Sequence, residues 1–271
     1  MKKIKLKVFK KIIQSLFQKL GVRVIKSPSS GFEYLLNQRR YNKTQISLNN
    51  TTFEIADSHS FYYSHREIFI DEIYKFICNN DNPVIVDCGS NYGTSILYFK
   101  QLYPNAHIVG VEADPSIFEI LEINIDKQNY NNITLLNKAI STDQGPVEFY
   151  GEGADGGRIH TNLESKNTYE VETIPLDDLI ENNVDFLKMD IEGAETDVLV
   201  TSKKLGQVKQ MFIEYHSFVD ETQKLSELLS CLTRNKFRYY IHTQFCTNQP
   251  LINDEIQLGM DLQLNIFAKR N

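Results

Sequence analysis

The chain has 271 residues, of which 41% are hydrophobic and 24% charged, close to globular averages and unlike a fibrous, low-complexity or disordered chain. This length exceeds the usual size of a domain, so one main domain with an appended segment is expected. The formal net charge of −6 is unevenly placed: residues 1–26 hold nine of the 29 basic residues and no acid, leaving 20 basic against 35 acidic residues beyond them, which argues against recognition of a nucleic-acid backbone by the main body.

The basic segment, MKKIKLKVFKKIIQSLFQKLGVRVIK, places Leu6, Phe9, Ile13, Leu16, Phe17 and Leu20 near a 3.6-residue period, which predicts an amphipathic helix over 1–26. Lys10 and Lys11 interrupt its apolar stretch, so it does not read as a cleaved secretory signal, and no run reaches the length of a membrane span. Two readings stay open: a helix lying peripherally on an anionic membrane surface, or a helix docked on the acidic body. Residues 27–60 mix turn residues with two short β-like stretches and form an irregular N-terminal lobe. The main domain then occupies 61–271.

Within it, Ile68, Phe69, Ile73, Phe76 and Ile77 predict a helix over 63–79. Strands and helices alternate next: PVIVDC as strand, TSILYFKQLY as helix, HIVGVEA as strand, PSIFEILEINIDKQ as helix and ITLLNKAI as strand. Continuous aliphatic strands separated by amphipathic helices indicate a parallel sheet covered on both faces. Pro115 suits the first turn of its helix. The stretch from PVEFYGEGADGG to IPLDDLI breaks the alternation with strands joined by a glycine-rich loop. Alternation resumes with DFLKMDIEGAETDVLV, QVKQMFIEYH and a helix near 221–233, and FRYYIHT with DLQLNIFAKR closes the sheet as an antiparallel edge. Cys78, Cys88, Cys231 and Cys246 lack the paired spacing of zinc sites or disulfide frameworks. They read as small buried side chains in a reducing, cytoplasmic setting.

In such sheets ligands bind outside the carboxyl ends of the strands. Those ends carry Asp87, Gly89, Asn91 and Gly93, then Glu112 and Asp114, then Lys138 and Ala139, then Asp190 and Glu192, then Glu214 and His216. The two glycines permit a sharp turn and a close approach. Glu112 stands at the distance at which an acid reaches ribose hydroxyls in a Rossmann unit. A nicotinamide dinucleotide fits less well, because Asn91 replaces the glycine that admits a pyrophosphate.

The segments VIVDCGSNYGTSILYF, VGVEADPSIFEILEINI, NKAISTDQGPVEFY and TIPLDDLIENNVDFLKMDIEGAETDVL resemble, in order, the motifs of the FkbM family of S-adenosylmethionine-dependent methyltransferases. The resemblance runs from about residue 61 to the C-terminus, and DFLKMDIEGAE is its most specific part. It implies a Rossmann-like class I methyltransferase fold with a seven-stranded, mostly parallel sheet, S-adenosylmethionine as cofactor, and O-methylation of a hydroxyl on a surface glycan, lipid-linked sugar or secondary metabolite. It also implies that Asp87, Gly89, Asn91 and Gly93 line the methionine part of the cofactor. Glu112 would accept from both ribose hydroxyls, Asp114 and the Lys138–Ala139 backbone would border the adenine, and Asp190 would sit beside the transferable methyl. Three acids at adjacent strand ends suit a cofactor carrying a sulfonium and an ammonium.

For the proton on the acceptor, Glu214 and His216 lie two apart on one strand face, and an imidazole titrates in the operating range. His216 is the expected base, with Glu214 and Asp190 orienting it or the substrate. His160, Arg158 and Tyr150, in and beside the glycine-rich loop, are expected to contact the acceptor. Asp190, Glu192 and Glu195 suggest a cation site, but acids opening a helix are favoured by helix-end electrostatics alone, so no metal is expected. The contrasting readings are a noncatalytic nucleoside-binding scaffold of a glycan-assembly complex and a nicotinamide-dependent oxidoreductase.

Overall fold

The computed structural model describes residues 29–151, 153, 156–159 and 168–270. The basic segment 1–26 and His160 lie outside the described residues.

Behind the N-terminal lobe's hairpin, β1 (Thr44–Leu48) and β2 (Thr51–Ile55), Asp57 caps helix α1 (Ser58–His65) by accepting from the Ser60 N–H at 2.8 Å. The helix predicted over 63–79 is therefore displaced. It starts earlier and ends after a wider, π-helical turn at Arg66–Ile70. Glu72 then adopts a left-handed φ of 52°. The apolar residues beyond it pack from an irregular segment: Tyr74 meets Phe212 edge-on at 4.8 Å and Phe76 stacks on Phe186 at 4.5 Å.

The main sheet contains β3 (Val84–Cys88), β4 (His107–Glu112), β5 (Ile133–Asn137), β11 (Val184–Met189), β12 (Val208–Phe218), β13 (Arg238–Cys246) and β14 (Met260–Lys269). Their spatial order is β13-β14-β12-β11-β3-β4-β5. All neighbours from β12 to β5 pair in parallel, whereas β14 runs antiparallel to both β12 and β13. The inverted strand is thus inserted one place in from the edge. The chain order reverses direction between β3 and β11, the switch point at which open α/β sheets leave a crevice at their carboxyl ends.

Alternation along each strand divides the core between the two faces. Ile85, Ile108, Phe186 and Phe212 pack on one face with helices α2 (Thr94–Leu102) and α3 (Pro115–Asp126) and with the N-terminal lobe. Val86, Val111, Leu187 and Ile213 pack on the other with α4 (Leu176–Leu179), α5 (Glu195–Thr201) and α6 (Leu225–Arg234). Each fully buried aliphatic or aromatic side chain contributes about 1.5–3 kcal/mol, which is why β11 can be buried along its whole length despite carrying Asp185 and Lys188.

The segment that breaks the alternation forms a small antiparallel sheet, with β7 (Val147–Tyr150) between β8 (Arg158–Ile159) and β9 (Thr168–Val171). A two-residue parallel pair, β6 (Ala139–Ile140) with β10 (Thr173–Ile174), joins it to the body. All four cysteines are free, two of them buried. Among the described residues no helix is long and apolar enough to cross a membrane.

Candidate active site

A cavity of about 900 Å3 opens at the carboxyl ends of β3, β4, β11 and β12, walled on its far side by Phe149, Tyr150 and Arg158 of the small sheet. Its volume is in the range of pockets that enclose a cofactor-sized ligand.

The loop after β3 forms its floor. Gly89 has a φ of +83°, and a Cβ there would lie 1.8 Å from the Asp190 carbonyl oxygen. This glycine lets two strand ends meet. Asn91, also left-handed at 47°, donates its N–H to Glu112 Oε2 at 2.9 Å, while Glu112 Oε1 accepts from the Asp114 N–H at 2.9 Å. Burial raises the proton affinity of Glu112 from the usual 4.5 to about 7, against the pull of these two N–H groups. Asp114 caps α3 through the Ser116 and Ile117 N–H groups. Lys138 and Ala139 border the cavity beside it.

Two residues expected on the cofactor stand behind the lining. The open side of Gly93 faces Leu121 and Ile125 of α3, so its missing Cβ serves helix packing. Asp87 is fully buried and accepts from Ser95 Oγ at 2.5 Å. Its link to the cavity is Lys188, a residue not singled out from the sequence. Lys188 Nζ lies 3.6 Å from Asp87 Oδ1 and 3.1 Å from Asp190 Oδ2, and it donates to the Gly89 carbonyl at 2.7 Å. A lysine in the otherwise apolar run DFLKM was the available signal.

The tips of β11 and β12 bring Asp190, Glu192, Glu214 and His216 together. His216 is buried, with Nδ1 3.0 Å from Glu195 Oε1 and Nε2 3.5 Å from Glu192 Oε2. Burial works against the charged imidazole, but Glu192 and Glu195 outweigh it and raise its proton affinity well above the ordinary range. Glu214 is raised too, by burial and then by Asp190. Gln263, opposite His216 on β14, donates to Glu214 and lies 3.4 Å from His216 Nε2.

The acids after β11 part company. Glu195 opens α5, but its carboxylate turns back onto the Ile191 and Gly193 N–H groups at 3.0–3.1 Å and onto His216 Nδ1 at 3.0 Å, so it orders the loop before the helix and makes no side-chain cap of the helix itself. Glu192 precedes that helix, has a left-handed φ of 58° and faces His216. One ligand atom each from Asp190, Glu192 and His216 lie within 4.8 Å of one another. On the opposite wall, the Arg158 guanidinium lies 4.0 Å over the Phe218 ring, its Nη1 buried without a hydrogen-bond partner among the described residues. Tyr150 lines the same wall.

The residues present fit S-adenosylmethionine. Glu112 presents to the cavity a carboxyl group pinned by two N–H groups, able to accept from a ligand's hydroxyls, and the acids at the β11 and β12 tips exceed the local cations, which favours a sulfonium.

Residues 87–239 match the family model described as the methyltransferase FkbM domain. The chain is 26% identical over 162 residues to "Methyltransferase 1" of Beauveria bassiana, a match covering 51% of this chain and 65% of that protein. It is 29% identical over 156 residues to the 2-O-methyltransferase NoeI of Sinorhizobium fredii, covering 49% and 63%. The chain therefore spans less than two thirds of the length of these two relatives. Among solved structures, the methyltransferase FkbM of Methylobacillus flagellatus KT aligns at 18% identity with a TM-score of 0.42, covering 70% of this chain and 45% of that one. Because the family model extends over more than half of the chain and takes in the Gly89 loop, Glu112 and the β11 and β12 tips together, the chain belongs to the FkbM family of S-adenosylmethionine-dependent methyltransferases.

Proposed function

We propose that the protein methylates a hydroxyl oxygen of a small saccharide acceptor. The observation that carries this reading is that a pinned Glu112 carboxyl group and a second group of acids at the β11 and β12 tips, Asp190, Glu192 and Glu214, line one cavity, with the His216 imidazole buried behind the second group. The name of the relative NoeI, a 2-O-methyltransferase, supports oxygen as the accepting atom. The acid-rich lining favours a small neutral acceptor over a polyphosphate backbone.

S-adenosylmethionine, when bound, supplies an electrophilic methyl on a positively charged sulfur. The chain's own part is to align and to deprotonate. Glu112, with Asn91 and Asp114 fixing its two oxygens, accepts the ribose hydroxyls. Lys188 holds Asp190 and the Gly89 carbonyl in register, so that the floor beneath the methyl is rigid. The acceptor hydroxyl is oriented by Tyr150 and Arg158 from the small sheet and gives up its proton to the acids at the tips of β11 and β12, Asp190 and Glu214, which line the cavity. His216, buried between Glu192 and Glu195, orders that group and does not itself take the proton. Alignment of reactants at near-attack distance supplies up to about 7–11 kcal/mol in favourable systems, and a positioned proton acceptor about 10²–10⁴-fold.

Calorimetric titration with S-adenosylhomocysteine, followed by mass spectrometry of a panel of mono- and disaccharides incubated with the protein and S-adenosylmethionine, tests this reading. The expected result is cofactor binding weakened by Glu112→Ala and a mass gain of one methyl on an oxygen. Absence of cofactor binding, or methylation confined to nitrogen or carbon, overturns it.

A further inference from the structure

Among the described residues, Asp190, Glu192 and His216 stand out as a group whose geometry exceeds what helix capping explains. We propose that these three residues bind a divalent cation at the acceptor end of the cavity. The site rests on the reading of that end as the acceptor's and specifies how an oxygen is held there.

Three observations converge. The first is spacing. Metal–ligand bonds of about 2.0–2.2 Å in a tetrahedral or octahedral shell put adjacent ligand atoms about 3.0–3.5 Å apart. His216 Nε2 and Glu192 Oε2 are 3.5 Å apart, at that spacing, and one ligand atom from each of the three residues lies within 4.8 Å of the others, so that a bound cation would draw the set together. Lys188 engages one oxygen of Asp190 at 3.1 Å, which leaves that carboxylate a second oxygen for the cation.

The second is the orientation of the imidazole. Metal-binding histidines characteristically give their other ring nitrogen to a carboxylate, which fixes the ring and aims a lone pair at the metal. Here Nδ1 faces Glu195 Oε1 at 3.0 Å, and Glu195 is itself held by the Ile191 and Gly193 N–H groups. The His216 and Glu195 side chains are 0% and 1% exposed, so this support is rigid and dry. Nε2 is thereby turned toward Glu192, 3.5 Å from its Oε2, with the Gln263 amide nitrogen 3.4 Å away.

The third is access. Asp190 and Glu192 keep 21% and 22% of their side-chain surface and both line the cavity, together with Glu214. A cation held by three protein atoms there has open positions facing the acceptor space. The class of acceptor it would favour carries two adjacent oxygens, such as a vicinal diol of a sugar. Two carboxylate oxygens with one imidazole nitrogen suit a borderline ion such as Mn2+ better than Ca2+, which prefers an all-oxygen shell.

The test uses the full chain stripped with a chelator and titrated with MnCl2 alone, with free Mn2+ read by electron paramagnetic resonance, with and without S-adenosylhomocysteine. Expected is one bound Mn2+ per chain, weakened at least about tenfold by Glu192→Ala and by His216→Gln. S-adenosylhomocysteine binding should be retained in Glu192→Ala, whose partly exposed side chain keeps that variant informative if the buried histidine variant misfolds. No stoichiometric Mn2+ binding, or equal binding in Glu192→Ala, overturns the site. Loss of S-adenosylhomocysteine binding by the unaltered protein with Mn2+ binding intact would instead refute the methyltransferase reading and leave the cation standing.

Discussion

Lys188 on β11 and Asp87 on β3 are cross-strand partners whose charged atoms lie 3.6 Å apart with 3% and 0% of their side chains exposed. Burial opposes the charge on Lys188, but Asp190 and then Asp87 outweigh it and raise its proton affinity, so the ammonium persists. Removing one partner of a buried pair leaves the other uncompensated, at about 3–5 kcal/mol. Lys188→Met should therefore lower stability by that order in urea unfolding. Lys188→Met combined with Asp87→Asn should lose less than the two single changes added together, and strict additivity would show that the pair is not coupled.

Gly89 and Gly93 share a left-handed backbone but predict different outcomes. A Cβ at Gly89 would be driven to 1.8 Å from a backbone carbonyl, whereas one at Gly93 meets Leu121 Cδ1 at 2.9 Å, the movable end of a side chain. Gly89→Ala should abolish S-adenosylhomocysteine binding in calorimetry. Gly93→Ala should cost about 1–2 kcal/mol of stability and retain binding. The reverse ranking would show that Gly93, not Gly89, closes the floor.

Much of the fold was legible because its strands are unusually continuous: PVIVDC, HIVGVEA and DFLKMD announce a covered parallel sheet, and strand ends in such a sheet are ligand positions whatever the ligand. Glu112 and Glu214 line the cavity where that rule puts them, whereas His216 is buried behind it. What the sequence hid are relationships across strands. Nothing local distinguishes Gly93, which packs on α3, from Gly89, which passes the Asp190 carbonyl. Lys188 gains its meaning from Asp87, about a hundred residues earlier in the chain. Glu192 and Glu195 look alike in EGAE, yet they meet opposite nitrogens of His216: Glu195, buried, holds Nδ1 and the loop N–H groups, while Glu192, partly exposed to the cavity, faces Nε2. The helix placed over 63–79 failed because its apolar spacing continues past a left-handed Glu72 into a segment held by aromatic contacts.

Glu112 gives cofactor binding a pH dependence of definite sign. Its proton affinity in the free protein is raised from 4.5 to about 7, so its contribution to folding is present below the lower value and is lost as pH rises through the upper one. Cofactor binding runs the other way, since hydroxyl donors and a cationic ligand prefer the carboxylate. S-adenosylmethionine affinity should fall as pH drops below about 7, by up to about tenfold per unit, while Glu112→Gln binds weakly with a flat profile. An unchanged slope in that variant would assign the titration to another group.

Asp57 controls the acid limit of the N-terminal lobe. Burial alone would raise its proton affinity, but the Ser60 and Tyr41 N–H groups and the Arg40 guanidinium outweigh it and hold the carboxyl below its usual 3.8. The Tyr41 N–H lies 2.6 Å from Oδ2 and Arg40 Nε 3.3 Å from both oxygens, and both residues reach the cavity rim. A depressed folded value means the stabilisation is complete above 3.8 and is lost as pH falls through the lower folded value. Asp57→Asn should cost about 1–2 kcal/mol at neutral pH and converge with the unaltered protein in acid, as read from urea midpoints across that range. A constant difference at every pH would mean that the cap, rather than the charge, provides the stabilisation.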